Sequence, residues 1–276
     1  MCRRVGPDII TDGLVFAVDA ANPDSYISGS TLWNDQTVNQ NNGTLTNGPT
    51  FDSVDGGSIN LDGVNDYIDF GNPIELQFTT SFSISLWFKS SDTSDYILIA
   101  KDNTVGHATN DRSWALWGNR YSGTNVLNFT IRNGGSSYNV AGTVDHNDGN
   151  WHHLVATYES STALKVYVDG SLEATNTTSI PSSINNVGTN VNIGRAANGV
   201  YYANAKIDEV GLFNSVLSAS DVTAIYNSGA PQSLDSYSPV GWWRFEEGSG
   251  TTATDSGSGG NDGTLVNGTS YSSDVP

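Results

Sequence analysis

Large apolar residues alternate with small polar ones along most of this chain. The run Ser81-Phe82-Ser83-Ile84-Ser85-Leu86-Trp87-Phe88 repeats the pair four times, the period of two that marks a strand with one buried face. Shorter segments of the same kind are Leu14–Val18, Ser58–Leu61, Tyr67–Phe70, Tyr96–Ala100, Trp114–Trp117 and Val126–Ile131. Trp151–Tyr158, Ala163–Val168, Val191–Ile193 and Ile207–Phe213 continue the series. Asn42-Gly43, Asp55-Gly56, Asp62-Gly63, Asn133-Gly134, Asp169-Gly170 and Asn198-Gly199 fall between them, and such pairs form tight turns. Many short strands with almost no helical periodicity predict an all-β, two-sheet antiparallel sandwich.

One helix interrupts the pattern after Leu217. Ser218 fits its N-cap and Asp221 its third position, where a carboxylate favours a helix start. Val222, Ile225 and Tyr226 share one face, Gly229 can take the left-handed C′ conformation, and Pro231 blocks continuation.

An internal repeat follows the helix. Asp35 and the run Asn41-Asn42-Gly43-Thr44-Leu45-Thr46-Asn47-Gly48 match Asp255 and Asn261-Asp262-Gly263-Thr264-Leu265-Val266-Asn267-Gly268 without a gap, and Phe51 matches Tyr271. Upstream, Val240–Glu246 resembles Leu14–Asp19 across a shorter loop. The chain therefore divides into an N-terminal arm (1–11), a sandwich (12–230) and an incomplete repeat of the first strands (231–276). Trp242, Trp243 and Phe245 give that last segment apolar surface that has to be buried, so it is expected to be an assembly or packing element.

The chain has 276 residues and a net charge of −18, with only 11 basic residues, and these are scattered. That balance argues against nucleic acid, whose phosphate backbone requires clustered Lys and Arg. Cys2 is the sole cysteine, so no internal disulfide forms. No apolar run reaches the length of a membrane span, and the first residues do not read as a signal peptide.

Leu61-Asp62-Gly63-Val64-Asn65-Asp66-Tyr67-Ile68, Phe82–Phe88, Asn150–Tyr158, Leu164–Gly170 and Ile207–Phe213 with the capped helix occur in this order. Together they resemble the laminin-G-like domains of the concanavalin A-like lectin/glucanase superfamily, from about Asp12 to Gly229. The resemblance implies a jelly-roll sandwich. The opening Ile10–Asn22 is similar to laminin-G-like structural proteins of marine bacteriophages, which implies a virion protein made in host cytoplasm. That origin would reconcile an extracellular type of fold with the missing leader.

Catalysis is not expected. Retaining glycoside hydrolysis needs two carboxyl groups about 5 Å apart, and the six glutamates form none of the superfamily's Glu-x-Asp-x-Glu patterns. Asp208 and Glu209, and likewise His152 and His153, are neighbours along predicted strands. Each pair therefore points to opposite faces and cannot converge on one ligand, and one of the histidines is expected to pack beside Trp151. The resemblance implies one structural calcium, with carboxylates from Asp19 and Asp208 and a further oxygen from the turn at Asp62. For sugars, stacking rings with adjoining polar groups are the pattern to seek. Tyr201, Tyr202, Trp117, Arg120 and Tyr121 are the candidates, and the alternation puts Trp114 and Trp117 on opposite faces. The expected function is a non-enzymatic virion component, a capsid decoration or tail appendage, that contacts other virion proteins or copies of itself and a cell-surface glycan. The alternative is a bacterial carbohydrate-binding or adhesion module, and a glycoside hydrolase ranks last.

Overall fold

The structure is a computed structural model. It describes residues 32–33, 43–44, 58–103, 112–120, 125–229 and 238–272. The predicted strand Leu14–Val18, the opening that resembles phage proteins, Asp19 and Tyr121 lie outside them.

Two antiparallel sheets face each other across one apolar core. The first contains β3 (Ser58–Asp62), β5 (Phe82–Lys89), β10 (Trp151–Glu159), β11 (Ala163–Val168), β12 (Ser171–Asn176) and β14 (Asn204–Phe213). Its order is β12-β11-β10-β5-β14-β3, closed by β18 (Ser270–Ser272), while β15 (Gly241–Trp243) pairs with the far half of β14. The second sheet holds β4 (Tyr67–Asp69), β6 (Tyr96–Asp102), β7 (Arg112–Asn119), β8 (Val126–Asn133), β9 (Ser136–Asp145) and β13 (Asn192–Ile193). With β16 (Thr252–Ala253) and β17 (Gly263–Val266), its order is β16-β17-β4-β13-β6-β7-β8-β9. A separate two-stranded sheet pairs β1 (Leu32–Trp33) with β2 (Gly43–Thr44).

The alternation in β5 does what it predicts. Phe82, Ile84, Leu86 and Phe88 enter the core between the sheets, where Phe82 stacks on Phe78 at 4.8 Å and meets Phe129 and Tyr158 edge-on. The other face of the first sheet is covered as well. Helix α1 (Ala219–Tyr226) lays Val222 and Ile225 against Val155, Tyr167, Phe213 and Trp242. Burial on both faces, not one, is why β5 is buried from Phe82 to Phe88 despite its polar serines.

Ser218 caps α1 through a reciprocal box: its Oγ accepts from the Asp221 N–H at 3.2 Å, and Asp221 Oδ2 accepts from the Ser218 N–H at 2.9 Å. The helix ends earlier than the Gly229 signal predicts. Asn227 takes the left-handed conformation at φ 46°, and Gly229 ends a further single turn.

The segment from 238 to 272 lies within the sandwich. β15 pairs Trp243 with Val210, β17 pairs Leu265 with Ile68, and β18 pairs Tyr271 with Ile59. Trp242, Trp243 and Phe245 are all buried, with Trp243 in the core against Phe70 and Trp242 beneath the helix. Asp255 anchors the loop, accepting N–H bonds from Trp242, Gly257 and Asn261, each at 2.7 Å.

Candidate functional site

The outer face of the second sheet gathers most of the chain's polar-plus-aromatic candidates. Cross-strand register sets Asp69, Asn192, Ala100, Ala115, Thr130 and Asn139 in one row across it. The next row runs Ile97, Trp117, Asn128 and Ala141. Trp114 and Leu116 point the other way into the core, so the two tryptophans of β7 do take opposite faces. Small side chains at Ala100, Ala115 and Ala196 leave the Trp117 indole as the bulk of this face.

Three of the predicted glycan residues meet here. Tyr201 contacts the Trp117 ring edge-on at 5.1 Å, and the Arg120 guanidinium carbon lies 4.6 Å from the same ring. Tyr201 is held by its backbone, whose carbonyl accepts the Ile97 N–H at 3.1 Å, and its side chain is 39% exposed. Trp117 is only 4% exposed, so it supports the Tyr201 ring and presents no flat face of its own. Tyr202 is half-buried in the adjoining turn with its hydroxyl over Gly199.

Two residues that the sequence reading passed over complete the geometry. Arg120 Nη1 donates to Thr130 Oγ1 at 2.7 Å, and that hydroxyl donates to Asn128 Oδ1 at 2.9 Å. Asn128 is thereby oriented with its amide N–H₂ left over. Asn128 Nδ2 and Trp117 Nε1 are both buried and find no hydrogen-bond partner among the described residues. Both atoms lie out of reach of solvent, in a part of the face where Ala100, Ala115, Asn128 and Thr130 are also buried. The only foresight available was strand parity, since Asn128 and Thr130 alternate with the core residues Leu127, Phe129 and Ile131.

Electrostatics on this side depart from the acidic whole. Asp102 is buried and paired with Arg112 at 3.1 Å. Burial raises its pKa, while Arg112, Arg132 and Arg120 all act to lower it. Further along the same face a shallow groove of about 480 Å³ is lined by Tyr67, Asp69, Asn190, Asp262 and Thr264. Arg195 lies flat over Tyr67 there, its guanidinium carbon 3.2 Å from the ring centroid.

The histidine pair is structural, and its partner differs from the one expected. His153 is buried beside Trp87 at 5.2 Å, not Trp151, and shares a 2.9 Å hydrogen bond with Ser85 Oγ. The register explains this, because His153 faces Trp87 directly across β10 and β5. His152 lies on the other face between Asp169 at 2.8 Å and Asp148 at 3.2 Å.

Of the three residues expected to hold calcium, only the Asp62 side chain lies among the described residues. Asp19 and the Asp208 side chain fall outside them, and no cluster of three or more His, Cys, Asp or Glu suits a metal there. Asp62 Oδ1 accepts the N–H groups of Val64 and Asn65 at 2.8 and 3.2 Å, closing its own turn. The oxygen left over belongs to Asp66: Oδ2 accepts the Asp62 N–H at 3.2 Å, while Oδ1 is buried and unpartnered. Burial, with Asp62 beside it, pushes the Asp66 carboxyl up to about 6.

A family model of the concanavalin A-like lectin/glucanases superfamily, the laminin-G type, matches residues 62–223, more than half of the chain. The chain belongs to this superfamily. Among solved structures it is similar to a protein of Bacteroides ovatus assigned a carbohydrate-binding role, with a TM-score of 0.59 at 17% identity over 79% of this chain. The match spans 59% of the Bacteroides protein. A heptameric pentraxin of Limulus polyphemus matches at a TM-score of 0.47 and 12% identity, over 62% of this chain and 82% of that one. No curated protein sequence matches.

Proposed function

We propose that this protein is a non-catalytic carbohydrate-binding module that reads glycans on the outer face of its second sheet. The observation that carries the reading is the exposed Tyr201 ring, set edge-on against Trp117 with the Arg120 guanidinium over the same indole. An exposed tyrosine supplies a surface for a pyranose ring, and a guanidinium beside it donates to sugar oxygens. The carbohydrate-binding role assigned to the Bacteroides relative agrees with this reading.

The carboxylates lifted furthest do not suggest hydrolysis. Glu209, Glu247 and Asp255 are all buried, each already accepting an N–H from within the sandwich. They brace the fold and do not face a substrate.

The module's setting is the virion of a phage, as an appendage that meets host-surface glycans. This rests on the similarity of Ile10–Asn22 to phage structural proteins, and a bacterial surface protein is the alternative. Binding is tested by glycan array on the full chain, followed by titration calorimetry with the best binder. Tyr201→Ala and Arg120→Ala should each weaken binding at least tenfold with the fold intact. An array without binders, or affinity indifferent to both substitutions, removes the proposal.

A further inference from the structure

Glu173 joins the two sheets along one side of the sandwich. β12 ends the first sheet and β9 ends the second. From β12, Glu173 Oε1 accepts the Thr143 and Val144 N–H groups of β9 at 2.5 and 3.0 Å. Asn176 adds a bond from Nδ2 to the Asn139 carbonyl at 2.8 Å. The place is fitted to the carboxylate, because a side chain at Gly142 would meet Glu173 Oε1 at 2.6 Å.

Two histidines stand behind that carboxylate. His146, just past β9, has Nε2 2.9 Å from Glu173 Oε2. The His152 ring, on β10, meets the His146 ring edge-on at 4.9 Å. Its Nδ1 lies 2.8 Å from Asp169 Oδ2 in the turn between β11 and β12. Its Nε2 lies 3.2 Å from Asp148 Oδ1 in the loop before β10. The strand on its other flank, β5, presents the Phe88 ring. Asp145, at the end of β9, is turned to Asn147 and Asn125.

A neutral imidazole has a single N–H and donates to one carboxylate only. His152 faces two, and its ring satisfies both when it is the cation. With both rings protonated, two cations meet Glu173, Asp169 and Asp148; without those protons, three carboxylates stand together. Burial alone would raise Asp169 and Glu173, yet both lie below their ordinary values because the histidines donate to them. The carboxylates add stability that is lost as pH falls through their folded values, below 3.8 and 4.5. His152, raised foremost by its bond to Asp169, adds stability that is present below 6.5 and lost as pH rises through its folded value. Loss at this side stays local, because the opposite side is tied by the C-terminal segment, with β17 in the second sheet and β18 in the first.

We propose that His146 and His152 form a proton-operated clasp. Protonated, they bind Glu173 and Asp169 and hold β12 of the first sheet against β9 of the second. On losing their protons they release this edge of the sandwich while the core stays folded.

The test is amide hydrogen exchange by NMR on the full chain, corrected for the intrinsic pH dependence of exchange. Protection of the Thr143 and Val144 amides should fall about tenfold or more between about pH 5 and about pH 9, while the core amides of Leu86 and Leu154 keep theirs. Glu173→Gln retains an oxygen for the two N–H groups and removes the charge, so it should keep them protected and flatten the pH profile. His146→Gln with His152→Gln should flatten it too. Thr143 and Val144 amides that follow the core amides at every pH would overturn the proposal. So would a parental pH profile in Glu173→Gln, which depends on no histidine variant folding.

Discussion

Trp242 donates its indole N–H to Glu209 Oε2 at 2.7 Å, tying the C-terminal segment to the irregular point of β14. Glu209 sits at φ 47°, where the register with β5 shifts between Asp208 and Gly211. That bulge divides one edge of β14, so β3 pairs with Asn204–Ile207 and β15 with Val210–Leu212. Arg244 approaches the other Glu209 oxygen at 3.6 Å. Trp242→Phe keeps an aromatic ring but removes the donor together with part of the buried indole's volume. It should cost about 1–3 kcal/mol in urea unfolding, because the buried carboxylate loses a partner. A loss within error would show that Arg244 alone satisfies Glu209.

Glu247 gives the chain a pH dependence whose sign is set by burial. Its pKa is pushed up to about 7 by desolvation, although Oε1 accepts the Thr254 N–H at 2.7 Å. A carboxyl raised in the folded state holds its proton where the unfolded chain has released it. Stability therefore falls as pH rises from about 4.5 to about 7. Glu247→Gln should match the parent near pH 5 and exceed it at pH 8, by up to about 3 kcal/mol. Equal unfolding curves at pH 8 would contradict this.

Asp255 shows burial and hydrogen bonding opposed. Desolvation lifts it to about 7, against three backbone N–H bonds that favour the charged form. Asp255→Ala leaves those three buried donors unpaired and should cost about 3 kcal/mol or more, measured by chemical denaturation.

Much of the framework was legible because its physics is local. β5, β10 and β11 followed from period-two alternation, and the helix start from Ser218 and Asp221. Strands β9 and β12 were not, since Ser136–Asp145 and Ser171–Asn176 are mostly polar, give the core only Val140 with Tyr138 and Ala174 beside it, and are tied together by Glu173, which accepts the Thr143 and Val144 N–H groups. The site was half legible. Tyr201, Trp117 and Arg120 carry composition signals, whereas Asn128 and Thr130 act only because Arg120 reaches them across β7 and β8. The bulge at Glu209 has no mark in a sequence that reads Ile207–Phe213 as unbroken alternation.

His152 and His153 should titrate in opposite directions though adjacent. His152 is raised above 6.5, foremost by its hydrogen bond to Asp169, with Asp148 adding to it. His153 is lowered to about 4 by near-complete desolvation. For His152 the stabilisation is present below 6.5 and is lost as pH rises through its folded value. For His153 the folded state resists protonation, so stability is lost as pH falls below 6.5 towards 4. Ring-proton NMR across pH 3–9 would resolve both, and two curves near 6.5 would refute the assignment of faces.

Calcium is the remaining expectation that a single experiment decides. Asp66 keeps a buried oxygen without a partner beside the acidic Asp62, and a cation there would relieve both the desolvation and the repulsion. Hard divalent cations take carboxylate and carbonyl oxygens of this kind. An ion bound by the folded state alone raises the melting temperature with its concentration. The melting temperature should therefore be lower in chelator than in millimolar calcium, and Asp66→Asn should flatten the difference. Magnesium at equal concentration controls for ionic strength, which acts on a chain of charge −18 without any site. Melting curves that coincide in chelator and in calcium would remove the metal from this fold.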